Sequence, residues 1–161
     1  VAELNVPLLL CVRDVILEHP ERLNMDFYVV PERPPDRRRP DIFLLDELPP
    51  GSIDHCGTTA CIAGWAVLLD RRRVPAVSRY SGGDANIHEV AAVLLGLKGT
   101  AGIADYATET EIDSVFLVAD WPADLRRAYQ GAATGRGRAR AVARRIERLI
   151  LEHLAAEEVI R

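Results

Sequence analysis

The densest run of chemically capable side chains is Asp54-His-Cys-Gly-Thr-Thr-Ala-Cys-Ile-Ala-Gly-Trp65, where a turn-forming stretch meets an apolar one. Thr58 or Thr59 can cap a helix that continues to about Asp70. Ala60, Ile62, Ala63, Trp65, Ala66, Val67, Leu68 and Leu69 make that helix apolar nearly all round, which predicts the central and most buried helix of the fold. A helix N-terminus concentrates unpaired N–H groups and partial positive charge, and both stabilise thiolates and bound anions. With entry near Thr58, Cys56 lies at the helix mouth and Cys61 about one turn inside.

Several chemistries can be hung on this segment. Cys56-Gly57 is similar to the Cys-Gly element that cysteine hydrolases of the papain and bacteriocin-leader peptidase types place at the head of a buried helix. Backbone N–H groups there can form an oxyanion hole, and His88, at the start of its own predicted helix, is the candidate base. Two departures weaken the likeness: no glutamine precedes Cys56 at the spacing of the oxyanion donor, and those families carry their histidine on a sheet. His55, Cys56 and Cys61, with His88 as a fourth, are legitimate zinc ligands, but Cys-x4-Cys without a second matching pair is a weak signal. Cys56 and Cys61 can also pair as a local disulfide, although they are not Cys-x-x-Cys and no βαβ pattern surrounds them.

Against all three stands a structural role. Cys61 then is a small buried hydrophobe, the threonines cap, and Gly57 and Gly64 serve turn and packing. We favour this reading, so neither a catalytic nor a metal-ligating residue is assigned and no cofactor is implied. The binding candidates are His55, Cys56, Thr58, Thr59, Trp65 and Trp121, with the two tryptophans expected first of all as core anchors. His19 precedes Pro20 at a helix end, and His153 falls on an apolar stripe as a boundary residue. A P-loop, a dinucleotide fingerprint, His-Glu-x-x-His and Gly-x-Ser-x-Gly are all missing from the sequence.

The elements that must hold this segment read as follows. Leu8, Cys11, Val12, Val15 and Ile16 share one face of a core helix from Asn5 to about Glu18. Met25–Val30 is rich in β-formers, and Ile42–Leu45 is its expected strand partner. The stretch 31–41 between them, with four prolines in Pro31–Pro40, predicts an exposed loop, and Leu48–Gly51 and Tyr80–Ala85 predict two more. A helix follows over about Ile87–Leu95, with Gly96 at its C-cap and Leu97 as capping hydrophobe. Thr108 or Thr110 can cap a short helix carrying Ile112, Val115 and Phe116, and Pro122 suits the first position of another running to about Tyr129. After a Gly131–Gly137 linker, Val142, Ala143, Ile146, Leu149, Ile150, His153 and Leu154 mark an amphipathic helix over about 138–158.

Composition bounds the class of protein. A chain of 161 residues points to one compact domain, two small ones being cramped, and its 48% hydrophobic and 27% charged residues exclude wholesale disorder. The longest apolar runs, Val6–Val12 and Ala91–Leu97, are far short of the roughly 20 residues of a membrane span. No basic n-region precedes the first apolar stretch, which speaks against a signal peptide. Three cysteines give no disulfide framework, so the cytoplasm is the expected compartment. Net charge −4 disfavours a surface built for nucleic acid, although Arg37–Arg39, Arg71–Arg73 and the group Arg136, Arg138, Arg140, Arg144, Arg145 and Arg148 are local basic clusters. Glu147, Glu152, Glu157 and Glu158 share the last segment, so a solvated helix face is the expected explanation.

Three motifs also occur in a telling order: Cys-Gly-Thr-Thr-Ala-Cys-Ile-Ala-Gly-Trp-Ala, then Val-Ala-Ala-Val-Leu-Leu-Gly-Leu, then Val-Phe-Leu-Val-Ala-Asp-Trp-Pro. With His19-Pro-Glu-Arg-Leu-Asn-Met25 they resemble, over about residues 19–130, a functionally uncharacterised family of small bacterial and phage-encoded proteins. The resemblance implies a cytoplasmic protein of such origin and supplies no site residues. The expectation is therefore a mainly α, single compact helical domain over 1–161, with at most a short two-stranded β-ribbon near the N-terminus. Its expected role is a binding or regulatory module, with a protein partner or a homo-oligomer as the partner classes. The alternatives are a thiol hydrolase-like enzyme using Cys56 and arginine-mediated nucleic-acid binding.

Overall fold

The structure is a computed structural model that describes residues 4–25, 29–30, 59–70, 72, 87–97 and 114–160. It is mainly helical. Helix α1 (Val6–Glu18) begins one residue after the expected Asn5, because Asn5 caps it: Oδ1 accepts the N–H of Leu8 at 3.2 Å. A 3-10 turn follows at Pro20–Arg22. Two short strands, β1 (Val29–Val30) and β2 (Thr59–Ala60), form an antiparallel ribbon in the register Val29 to Ala60 and Val30 to Thr59. Leu23 bridges Ala60 in parallel sense, and Asn24 N–H donates to the Ala60 carbonyl at 3.1 Å. The partner of β1 is thus the approach to α2; Ile42–Leu45, the expected partner, and the loops 31–41, 48–51 and 80–85 lie outside the described residues.

Helix α2 (Ile62–Leu69) is the buried centre of the fold, as its apolar content predicts. Every residue from Ile62 to Leu68 is buried, while Leu69 is half-buried. Helix α3 (Ile87–Leu95) ends in a Schellman motif. Gly96 takes φ 68°, Gly96 N–H donates to Val93 O at 3.1 Å and Leu97 N–H to Ala92 O at 2.9 Å. Asn5 ties this end to α1: its N–H donates to Leu95 O at 2.9 Å, and Nδ2 donates to Leu94 O at 2.9 Å. One residue therefore caps one helix and satisfies two orphan carbonyls of another.

Residues 114–116 are helical and are followed by a 3-10 turn at Val118–Asp120. Helix α4 (Ala123–Gln130) then starts with Pro122 as its N-cap, one position before the place expected for that proline. Helix α5 (Gly135–Ile160) has 26 residues and spans about 39 Å at 1.5 Å per residue. It begins three residues before the expected boundary. Thr134 caps it, with Oγ1 accepting Gly137 N–H at 3.1 Å, so the Gly-Arg-Gly-Arg stretch is its first turn and not a linker. A Cβ at Gly137 would sit 3.0 Å from Ala132 Cβ, which is why the tight entry uses glycine there.

Helix α1 lies antiparallel to α5, with Leu4 N–H donating to His153 Nε2 at 3.4 Å and Arg13 facing Glu147 at 3.6 Å. His153 is the boundary residue its position on the stripe suggested. Cys11 is a correction to the expected core face of α1: it is exposed, and Leu9, fully buried, takes its place beside Leu8, Val12 and Ile16. Leu154, expected on the buried stripe of α5, is 47% exposed. Among the described residues no helix is long and apolar enough to cross a membrane.

Candidate functional site

Helix α2 opens at Ile62, not near Thr58, because Thr59 and Ala60 are drawn into the ribbon and Cys61 becomes the N-cap. Its sulfur accepts the N–H of Gly64 at 3.5 Å. The capping role expected of Thr58 or Thr59 is therefore corrected to Cys61. Cys61 is buried, and burial pushes its thiol up to about 11, with the Gly64 N–H pulling more weakly the other way. The enclosed thiol, held protonated at neutral pH, acts as the cap of α2. The positive end of the helix dipole lies at Cys61; Cys56, expected at the helix mouth, precedes the first helical residue by six positions in the sequence and lies outside the described residues.

Trp65 is buried among the residues of α2 and its neighbours, and the guanidinium of Arg22 lies 4.7 Å from its ring centroid. Trp65 Nε1 is buried and has no hydrogen-bond partner among the described residues. Trp121 is also buried; its Nε1 donates to Val115 O at 3.0 Å, and its ring meets Tyr129 edge-on at 5.8 Å and 74°. Both tryptophans anchor the core, as expected.

A concave feature among the described residues was not visible in the sequence. It is a groove of about 240 Å³ between the segment that follows α1 and the junction of α4 with α5, lined by Pro20, Leu23, Asn24, Met25, Tyr129, Gly135 and Arg138. The Arg138 guanidinium lies 5.8 Å from the Tyr129 ring centroid, and Arg138 has no ion-pair partner among the described residues. Gly135, at the start of the longest helix, brings the positive end of that helix to the same wall. One signal could have located this place: a threonine directly before the amphipathic run, at Thr134, marks a helix start.

Two arginines expected on a solvated face of α5 are engaged by the fold. Arg145 is buried, and its Nε and Nη2 both donate to Ser114 O, at 3.1 and 2.9 Å. Burial pulls its guanidinium below the usual range, while Glu152, 3.7 Å from Nη1, opposes that shift. Arg148 pairs with Asp124 at 3.2 Å and with Glu152 at 3.0 Å. Arg136, Arg138, Arg140 and Arg144 are exposed.

His55, Cys56 and Thr58 lie outside the described residues; Thr59 lies in β2, and His88 falls in the first turn of α3. Among the described residues no three His, Cys, Asp or Glu side chains gather as metal ligands. No family model, curated protein or solved structure matches the chain.

Proposed function

We propose that the chain is a small binding module without catalytic activity, and that its binding surface is the groove between Asn24 and Arg138. The observation that carries this reading is the pairing of Arg138 with Tyr129 in a polar concavity beside the start of α5. A guanidinium braced on an aromatic face, with no carboxylate partner among the described residues, suits a ligand's carboxylate or phosphate. Asn24 adds an amide on the same wall, and Leu23 and Met25 add apolar edges that favour an anionic group carried on a larger, partly apolar ligand. Cytoplasmic location and bacterial or phage origin, which the motif resemblance implies, belong to the same proposal.

The test is an amide chemical-shift titration of the full chain with inorganic phosphate, and separately with acetate, at constant ionic strength. The expected shifts centre on Asn24, Tyr129 and Gly135 and disappear in Arg138→Gln while the rest of the spectrum is retained. Shifts that survive Arg138→Gln, or that spread evenly over every exposed arginine, would overturn the proposal.

A further inference from the structure

Leu151 is 65% exposed and Leu154 47% exposed, on consecutive turns of α5. At 100° per residue Leu151 stands opposite Val142 and Leu149, which face the body of the protein. The outer face is charged at its two ends. Arg144 lies one heptad before Leu151 and Glu158 one heptad after it, so all three fall within about 20° of a single line along the helix. Both charges are exposed, and among the described residues neither has an ion-pair partner. Their neighbours differ: Glu147 faces Arg13, and Arg148 is held by Asp124 and Glu152.

We propose that this outer face of α5 is a self-association surface, occupied by a second copy of the same chain running antiparallel with its two-fold axis at Leu151. In a two-fold contact each residue meets its partner twice. With the axis at Leu151, Arg144 of each copy faces Glu158 of the other, Glu147 faces Ala155, and Leu154 lies over the aliphatic stem of Arg148. No like charges oppose one another. A parallel arrangement would set Arg144 against Arg144 and Glu158 against Glu158, which like-charge repulsion disfavours. The charge order along the helix thus selects both the occupant and its direction. One helix face buries less than the roughly 1,000 Å² of a lasting interface, so the dimer is weak and concentration-dependent.

Sedimentation equilibrium of the full chain, from about 10 µM to about 1 mM, reads this directly. Expected is a monomer–dimer equilibrium that weakens with added salt. Leu151→Arg abolishes it by placing two cations on the axis. Arg144→Glu and Glu158→Arg each weaken it by about tenfold or more, and the double reversal restores it, because the cross-pair is re-formed with signs exchanged. All three positions changed in these variants are exposed, and an unchanged circular dichroism spectrum checks that the fold is kept. A monomer at every concentration overturns the proposal. So does association that tolerates Leu151→Arg, or single reversals that the double reversal fails to rescue; either outcome assigns the face to some other partner or none.

Discussion

The sulfur of Cys61 accepts the backbone N–H of Gly64 across the first turn of α2, at 3.5 Å. A thiol is a poor cap, because its acceptor is weak and its bond long. It serves here because the helix start is enclosed: a serine would bring a stronger acceptor but a hydroxyl to desolvate, whereas a thiol is itself nearly apolar. The N-cap position and the core position are one and the same residue.

Enclosure sets the reactivity of this thiol. With its ionisation pushed up to about 11, Cys61 is almost wholly protonated at neutral pH. Alkylation of the native protein at pH 7.5 should label the exposed Cys11 quickly and Cys61 only at the rate of opening of the fold. Peptide mapping over time gives the order; Cys61 labelled as fast as Cys11 would show that α2 is not sealed. The same shift couples to stability. Above pH 9 the unfolded chain gives up the Cys61 proton while the folded chain keeps it up to about 11, so stability falls as pH rises through that window. The full loss is about 2–3 kcal/mol, and a Cys61→Ser protein, whose hydroxyl does not titrate there, should lack that part of the decline.

Removing the acceptor separates capping from volume. Cys61→Ala leaves Gly64 N–H without its partner and a small void beside it, for an expected cost of about 1–2 kcal/mol. Cys61→Ser keeps an acceptor of similar size and should cost less than about 1 kcal/mol. Denaturant unfolding of the two variants measures the difference. Equal costs would mean that the bond to Gly64 contributes nothing.

Arg145 joins α5 to the residue that opens the turn at 114–116, through two donors on one carbonyl. Lysine has one nitrogen and cannot reproduce that fork. Arg145→Lys should therefore destabilise by about 1–3 kcal/mol, as expected for lost hydrogen bonds from a charged group in a buried place. Chemical denaturation gives the value, and amide exchange should show protection lost first at Val115 and Phe116. A variant as stable as the parent would show that the Ser114 carbonyl is equally well satisfied by water.

The features legible in the sequence are those whose causes are local. Gly96-Leu97 after an apolar run marks the end of α3, because a cap involves residues only a few positions apart, and the periodicity of Leu8, Val12 and Ile16 places α1 to within one residue of its start. The all-round apolar content of Ile62–Leu68 likewise announced the central helix. What could not be read depends on distant partners. Gly135 and Gly137 look like a linker because glycine disfavours helix interiors, and only the approach of Ala132 at 3.0 Å explains a glycine at 137. Arg145 looks like one more solvated arginine until Ser114, 31 residues away, is brought against it. Thr59 lost its capping role to strand pairing with Val30. The groove joins residues 20–25 to residues 129–138, and no periodicity in either segment reveals that they meet.

Asn5 concentrates three bonds on one residue. Oδ1 caps α1 through Leu8 N–H, Nδ2 donates to Leu94 O, and the main-chain N–H donates to Leu95 O. Asn5→Asp keeps the acceptor, since a carboxylate caps as well as an amide, but replaces the donor to Leu94 with an anion facing a carbonyl at the negative end of α3. Asn5→Ala loses both side-chain bonds without adding repulsion. Asp should therefore be no better than Ala here, each costing about 1–2 kcal/mol, although Asp outranks Ala at an ordinary N-cap by about that much. The contact with α3 is what reverses the usual order. Thermal and urea unfolding of the two variants at pH 7 decide the matter: an Asp variant as stable as the parent would show that capping of α1 is the whole role of this side chain, and that the bond to Leu94 contributes nothing.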